Sequence, residues 1–354
     1  MTDDELLYAS ALTIQLKNNV RKAHRLLDQY DSMREAFLHT DAPKEVLKRA
    51  EKEVEFVHHH QLSVYGWEED NYPFLLQQCP DAPLLLYGKG NLRVNEGHFL
   101  SVVGTRSATD RGKQLTHDIV IDLAGKVPNL TIVSGLAFGI DVAAHQAALE
   151  AGISTIIIPG HGLDRIYPAL HRNVAVRSLE NGGILTEYPS DTNPDRINFV
   201  ARDRIIAGIS EATLVVESKE KGGSLITAQM ALDYNRTVFA IPGRPSDDYS
   251  QGCNSLIKYN KARLTTTADD IIAEMGWETA EKKEGSQQEL DLHNDDLSTD
   301  EQRLLNLIDE DGIQINSIVM ETDIAYNDAV SLLMGLELKG YVRSLPGGVV
   351  RRLR

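Results

Sequence analysis

Between residues 99 and 275 six apolar runs recur, "FLSVVG", "LTIVSG", "STIIIPG", "GGILTEYP", "ATLVVES" and "TVFAIPG", and each is followed by a turn and a helix-length segment. Such alternation is what consecutive βα units produce, and it predicts an α/β fold built on a parallel sheet. The runs are continuous in Val, Ile and Leu rather than alternating with polar residues, so helices are expected on both faces. All strand C-termini of a parallel sheet share one edge. The turns that leave them are therefore expected to converge on one crevice.

Three of those turns carry chemistry: "GTRSATDRG" (Gly104 to Gly112), "SGLAFGID" (Ser134 to Asp141) and "KGGSLITA" (Lys221 to Ala228). Each places small residues and backbone N–H groups at a helix start, where orphan donors and the helix dipole favour an anion. None satisfies G-x-G-x-x-G or G-x-x-x-x-G-K-[ST], so no common nucleotide fingerprint fits. Glycines of this kind also serve simply to make tight strand-to-helix turns. Three on one edge, with Arg106 on the first, Lys221 on the third and "FVARDR" (Phe199 to Arg204) following in the chain, favour phosphate. A polymer of phosphates uses several anion sites in a row and needs neither a Walker lysine nor a ribose-binding acid. The expected phosphate contacts are Gly104, Thr105, Arg106, Ser134, Gly135, Gly139, Arg202, Arg204, Lys221, Gly223 and Ser224. Phe199 is either a base-stacking platform or a core aromatic.

Other candidates have plainer readings. Asp141 and His145, four apart on one helix, could form an acid/base pair, but no serine or cysteine nucleophile stands beside them, which favours a structural role. The run His58 to His60 has no partner cluster and reads as a helix end rather than a metal site. Glu187 and Glu217 follow strands, yet nothing in their spacing selects them for acid/base work. Cys79 and Cys253 are far apart and read as unpaired thiols of a reducing compartment. No metal or redox cofactor is implied.

The net charge of -16 argues against a polyanionic partner only until its distribution is examined. Residues 101–275 hold 17 Lys and Arg against 20 Asp and Glu, so the acid excess lies mostly elsewhere and a local basic groove is permitted. Residues 1–66 show helical periodicity and are expected to form a small helical domain. The stretch "YPFLLQQCPDAPLLLYGKGNL" from Tyr72 reads as a proline-bounded strand and turn leading into the core, 71–275. Residues 276–297, polar and acidic, read as a linker. Residues 298–354 suggest a winged helix, with three helices and a Pro-Gly-Gly hairpin. Its third helix offers only Asn327, beside Asp328, for base readout, while the cations Arg343, Arg351, Arg352 and Arg354 gather at the hairpin. Weak binding to duplex and contacts between proteins are the expectation there. No apolar run has the length of a signal peptide or membrane anchor, so a cytoplasmic protein is expected.

The motifs "SVVGTRSATDRG", "SGLAFGIDVAAHQAALEAG", "GLDRIYP", "FVARDRIIAG", "VVESKEKGGSLITAQMAL" and "FAIPGR...GCNSLIK", in that order, closely resemble the DNA-processing protein A family (DprA, also called Smf). The resemblance covers about residues 71 to 275. It implies an extended Rossmann-like fold with an N-terminal SAM-like helical domain and a C-terminal winged helix. It also implies a protein that binds single-stranded DNA as a homodimer, protects it and loads RecA on it during natural transformation, without enzymatic activity. The family usually has Arg-Asn-Arg where this chain reads Arg202-Asp203-Arg204, and often an arginine where Phe138 stands. The alternative is a Rossmann-like nucleotide hydrolase or phosphoribohydrolase. Those proteins carry a "PGG-x-GT-x-x-E" loop, whereas "KGGSLITAQ" lacks the glutamate at that spacing.

Overall fold

A computed structural model describes residues 1–279, 297–309, 312–322, 324–339, 341–345 and 348–352. These form two compact units, one of the described residues through 279 and one of those from 297.

In the first unit four helices, α1 (Asp3–Gln15), α2 (Val20–Leu27), α3 (Met33–Leu38) and α4 (Lys44–His60), precede β1 (Ser63–Gly66), α5 (Phe74–Gln77) and β2 (Leu85–Asn91). The six apolar runs all form strands: β3 (His98–Val103), β4 (Leu130–Ser134), β5 (Ser154–Ile157), β6 (Gly182–Thr186), β7 (Ala212–Val215) and β8 (Thr237–Ala240). Helices α6 (Asp110–Lys126), α7 (Ile140–Glu150), α8 (Arg172–Ser178), α9 (Arg196–Ile209), α10 (Ser224–Asp233) and α11 (Gln251–Lys258) follow these strands in turn. The short edge strand β9 (Arg263–Leu264) and α12 (Ala268–Met275) complete the unit.

The sheet runs β1-β2-β6-β5-β4-β3-β7-β8-β9. It is parallel from β6 to β9, and β2 is antiparallel to both of its neighbours. From β3 the chain moves outward through β4, β5 and β6, then returns to β7 on the other side of β3. The topological switch point therefore lies at β3, between β4 and β7. Successive residues of β3 feed opposite cores. Leu100 and Val102 pack with Ile119, Leu123, Ala144 and Ile271 of α6, α7 and α12, while Phe99 and Val103 pack with Ile205, Ile206, Ala228 and Leu256 of α9, α10 and α11. Both faces are covered, as continuous apolar strands require.

The boundary near 66 does not separate two bodies. Ser63–Gly66 is the edge strand β1, and α1 to α4 pack on the sheet through Leu84, Leu85 and Tyr87. Glu53, 1% exposed, accepts hydrogen bonds from the Ser190 N–H (2.9 Å) and hydroxyl (2.6 Å) beyond β6, with Arg49 paired to it. The stretch read as a strand and turn holds a helix first, α5, and then β2. Gly276 and Trp277 belong to the fold rather than to a linker. Gly276 is the left-handed cap of α12, and the buried Trp277 donates its indole N–H to Glu211 (2.8 Å). Leu297, at the other end of the expected linker, packs on the core of the second unit, and 280–296 lie outside the described residues.

The second unit contains α13 (Thr299–Leu307), β10 (Ile313–Gln314), α14 (Ile315–Thr322), α15 (Tyr326–Leu338), β11 (Val342–Leu345) and β12 (Val349–Arg352), with a three-stranded sheet in the order β10-β12-β11. This is the expected winged helix. Ser298 caps the first helix reciprocally with Glu301. Arg343 and Arg351 stand opposite each other across the hairpin, and the Arg352 guanidinium donates to the Leu305 carbonyl (3.3 Å). Arg354 lies outside the described residues.

Candidate nucleic-acid interface

At the switch point β3, β4 and β7 end side by side, and the three glycine turns meet. The turn after β3 is held from two sides: the Thr105 N–H donates to the Glu217 carbonyl (2.8 Å), and the Ile140 N–H to the Thr105 carbonyl (3.3 Å). Gly139, at φ +83°, passes so near that a Cβ would collide with the Thr105 carbonyl oxygen. Its glycine is required by close approach of two backbones, not by an anion.

Two of the three turns already direct donors at a carboxylate of this chain. Glu217, just beyond β7, accepts from the Thr109 N–H (2.9 Å) and hydroxyl (2.5 Å) ahead of α6, and a Cβ on Gly112 would run into the same carboxylate. Asp141 turns back and accepts from the Gly135 N–H (3.2 Å) and the Ala137 N–H (3.3 Å). The Ser134 hydroxyl is committed to the Val102 carbonyl (2.6 Å). In this fold the Gly135 N–H and the Ser134 hydroxyl, both expected to face a phosphate, therefore serve Asp141 and the Val102 carbonyl instead. Burial pushes the Asp141 carboxyl up, while Arg202, the two N–H groups and Arg106 oppose the rise.

The third start is open. Gly223 leads α10 with no side-chain cap, and Lys221 and Gly223 are exposed. The Ser224 hydroxyl donates to Ser218 (2.9 Å), so this serine offers its backbone rather than its side chain. A cleft of about 560 Å³ extends from this point to Gly104, Thr105 and Arg106, with Asp141, Arg202 and Asp203 among its floor residues. Exposed cations stand on its walls: Arg106, Lys221, and also Arg196 and Lys219, which the sequence reading did not single out. Neither of those two lies inside a glycine turn, and only the fold brings them to the crevice.

The two arginines of "FVARDR" separate. Two residues apart on a helix are about 200° apart around its axis, so Arg202 and Arg204 leave α9 on opposite sides. Arg202, 3% exposed, reaches the cleft floor, where it donates to the Ile158 carbonyl (2.6 Å), pairs with Asp203 (3.1 Å) and lies over Gly135, leaving no space for a Cβ there. Arg204, 8% exposed, is ion-paired with Glu187 away from the cleft. Expected at a phosphate, it stands in this fold as a buried ion pair outside the cleft lining.

Phe199 is half-buried at the cleft wall. It stacks on Tyr167 (centroids 5.6 Å, 29°), and the Arg106 guanidinium sits 5.4 Å from its ring centre. A smaller hollow lined by Phe138, Tyr167, Phe199, Arg106 and Arg202 adjoins. Phe138 is exposed and edge-on to His171 (4.8 Å). An aromatic wall with a cation over it suits stacking of bases. Tyr167 escaped the sequence reading because its ring meets Phe199 only across the crevice.

His145 is fully buried and absent from the cleft lining. The Thr155 hydroxyl donates to the Ile132 carbonyl (2.9 Å), so the His145 Nδ1–H donates to that hydroxyl (2.7 Å). Burial holds this imidazole down at about 3. It is neutral in the fold, whereas in the unfolded chain it gains a proton below about 6.5. Its contribution to stability is thus full above that value and is lost as pH falls toward 3. Between about pH 7.5 and 5 the protein is expected to lose about 1 to 2 kcal/mol more stability than its His145→Gln variant, measured by urea unfolding. Equal losses would return His145 to consideration as a titrating group.

His58 to His60 form the last turn of α4, with His58 beside Asp3 (2.9 Å). Cys79 and Cys253 are buried free thiols. Among the described residues no group of three His, Cys, Asp or Glu side chains could hold a metal ion, and no helix is long and apolar enough to cross a membrane.

Comparison with known proteins agrees with this architecture. The pattern described as DNA recombination-mediator protein A matches residues 63–276, and that of the DprA winged helix domain matches 288–348. Protein Smf of Synechocystis is 35% identical over 312 residues, covering 79% of this chain and 77% of its own length. Protein Smf of Escherichia coli is 32% identical over 327 residues, covering 91% and 85%. The crystal structure of DNA processing protein A from Streptococcus pneumoniae superposes with a TM-score of 0.65 at 34% identity, over 77% of this chain and 98% of that one. That of Helicobacter pylori DNA processing protein A, described for its single-stranded DNA binding mode, gives 0.55 at 30% identity, over 61% and 96%. With its sheet, its motif order and its winged helix all matched, the chain belongs to the DNA recombination-mediator protein A family, the DprA/Smf proteins.

Proposed function

We propose that this protein binds single-stranded DNA along the cleft at the switch point, protects the incoming strand and hands it to RecA in natural transformation and recombination. The observation that carries the reading is the convergence of four exposed cations and a stacked aromatic wall on one open cleft, at the edge where the three glycine turns meet. Such a cleft takes backbone phosphates by charge and bases by stacking, without reading sequence. The family relationship supports a DNA-processing role, and the Helicobacter pylori relative supports the single strand as ligand. A cytoplasmic homodimer joined through the Rossmann-like domain, with the winged helix engaged in protein contacts, completes the proposal.

The test is salt-titrated binding of the full chain to a single-stranded oligonucleotide, its duplex and a mononucleotide. Three to four phosphate contacts predict that log K falls against log salt with a slope of about -2 to -3 for the single strand. Salt-independent binding, or preference for the mononucleotide, would sink the reading. Nucleoside monophosphates incubated with the protein and analysed for free base address the hydrolase alternative. No cofactor enters the mechanism: the cleft residues bind and orient a strand, and release of free base would overturn that.

A further inference from the structure

Asp203 lies among the cleft residues without being closed off. Its side chain is 18% exposed and paired with Arg202 at 3.1 Å. The groups that face it come from four elements: Arg202 from its own helix α9, Asp141 from α7, Arg106 from the turn after β3, and Thr227 from α10, whose hydroxyl favours the ionised form. The cations of the rim, Arg196, Lys219 and Lys221, line the same cleft. Two carboxylates thus face the Arg202 guanidinium of the floor and the Arg106 guanidinium of the wall. Asp141 is committed to two backbone N–H groups, so Asp203 is the carboxylate with a route to solvent.

We propose that Asp203 sets the affinity of this cleft for a phosphodiester strand through its own protonation. Ionised, it neutralises Arg202 and repels the phosphates; protonated, it removes one negative charge from the cleft and the strand is held more tightly. The proposal rests on the reading of the cleft as a strand-binding site. Burial pushes the Asp203 carboxyl up to about 6, with Asp141 adding to the rise and Arg202, Thr227 and Arg106 opposing it. The change of state therefore falls near neutral pH. A phosphodiester stays ionised throughout this range, so affinity rises as pH falls through about 6.

The experiment measures binding of an oligothymidylate, whose base does not titrate here, to the full-length protein, its Asp203→Asn variant and its Thr227→Val variant at about pH 7.5 and 5.5. Between these values the wild-type protein is expected to tighten roughly three- to tenfold more than Asp203→Asn, the size of one unit charge acting across a partly solvated cleft. Asp203→Asn binds tightly already at the higher pH. Thr227→Val, which removes a hydroxyl that favours the ionised carboxylate, binds more tightly than wild type at the higher pH. An equal pH response in wild-type and Asp203→Asn proteins, or weaker binding by a folded Asp203→Asn at the higher pH, overturns the proposal while leaving strand binding intact. No binding by any of the three at either pH overturns the strand-binding reading and this proposal with it.

Discussion

Arg204→Ala is expected to destabilise the protein by about 3 to 5 kcal/mol, because it leaves Glu187 as an uncompensated charge in the interior. Against a total stability of about 5 to 15 kcal/mol for a domain, such a loss brings the variant close to unfolding at growth temperature. The size follows from where the pair sits, since Glu187 is 2% and Arg204 8% exposed. The dependence on pH carries a second signature. Burial pushes the Glu187 carboxyl up, and Arg204 is the main force opposing that rise. Once the arginine is gone, the folded-state value rises further above the unfolded one. A group raised in this way stabilises the fold below its unfolded value, and this contribution is lost as pH rises through the folded value. The deficit of Arg204→Ala should thus be smaller at about pH 5 than at about pH 8. The double variant Glu187→Gln, Arg204→Met, which removes both charges, should recover most of the loss. Urea unfolding at the two pH values checks all three statements. Single-strand affinity per folded molecule should stay within about twofold of wild type, and a loss of binding with intact stability would restore Arg204 to the interface.

The six parallel strands were legible because strands buried on both faces are written as unbroken apolar runs. The sheet's margins were not. β1 and β9 are edge strands of four and two residues, too short for a periodic signal, and they gain their identity from a neighbour. The same limit applied at the site. The sequence marked glycine turns at helix starts, and those turns do converge on one crevice. It could not show that Glu217 closes the helix start at Thr109, because the two are 108 residues apart and their meeting depends on β3 lying beside β7. Asp141 was nearer to hand. An aspartate six residues after Gly135, in the first turn of a helix, can fold back on the preceding loop, which is one form of the structural role favoured for it above. The separation of Arg202 from Arg204 was also available from helical geometry alone, once the segment was read as a helix. Exposed cations such as Arg196 and Lys219 leave no trace in a single sequence, since nothing local distinguishes them from any solvated residue.

Removing three of the four wall cations together, Arg106→Ala with Lys219→Ala and Lys221→Ala, is expected to weaken single-strand binding by about 10²- to 10³-fold at low salt. Each side chain is exposed, so each contact with a phosphate is worth only about 1 to 1.5 kcal/mol, less than a desolvated bond would give. Their sum approaches 3 to 4 kcal/mol only because the ligand is a polyanion that engages all three at once, with some departure from additivity among neighbours on one cleft. Three fewer displaced counterions should also flatten the log K against log salt slope by about 2, so the variant's deficit shrinks as salt rises. This second readout separates lost phosphate contacts from a distorted cleft, which would lower affinity without changing the slope. Stability should be almost unaffected, because none of the three is buried or ion-paired in the fold, and only the Lys219 contact with the Tyr249 ring (5.0 Å) is lost besides the packing of Arg106 over Phe199. Thermal unfolding and a salt titration on the same samples decide the matter. Affinity within about threefold of wild type, with an unchanged slope, would mean that the strand runs elsewhere on the molecule.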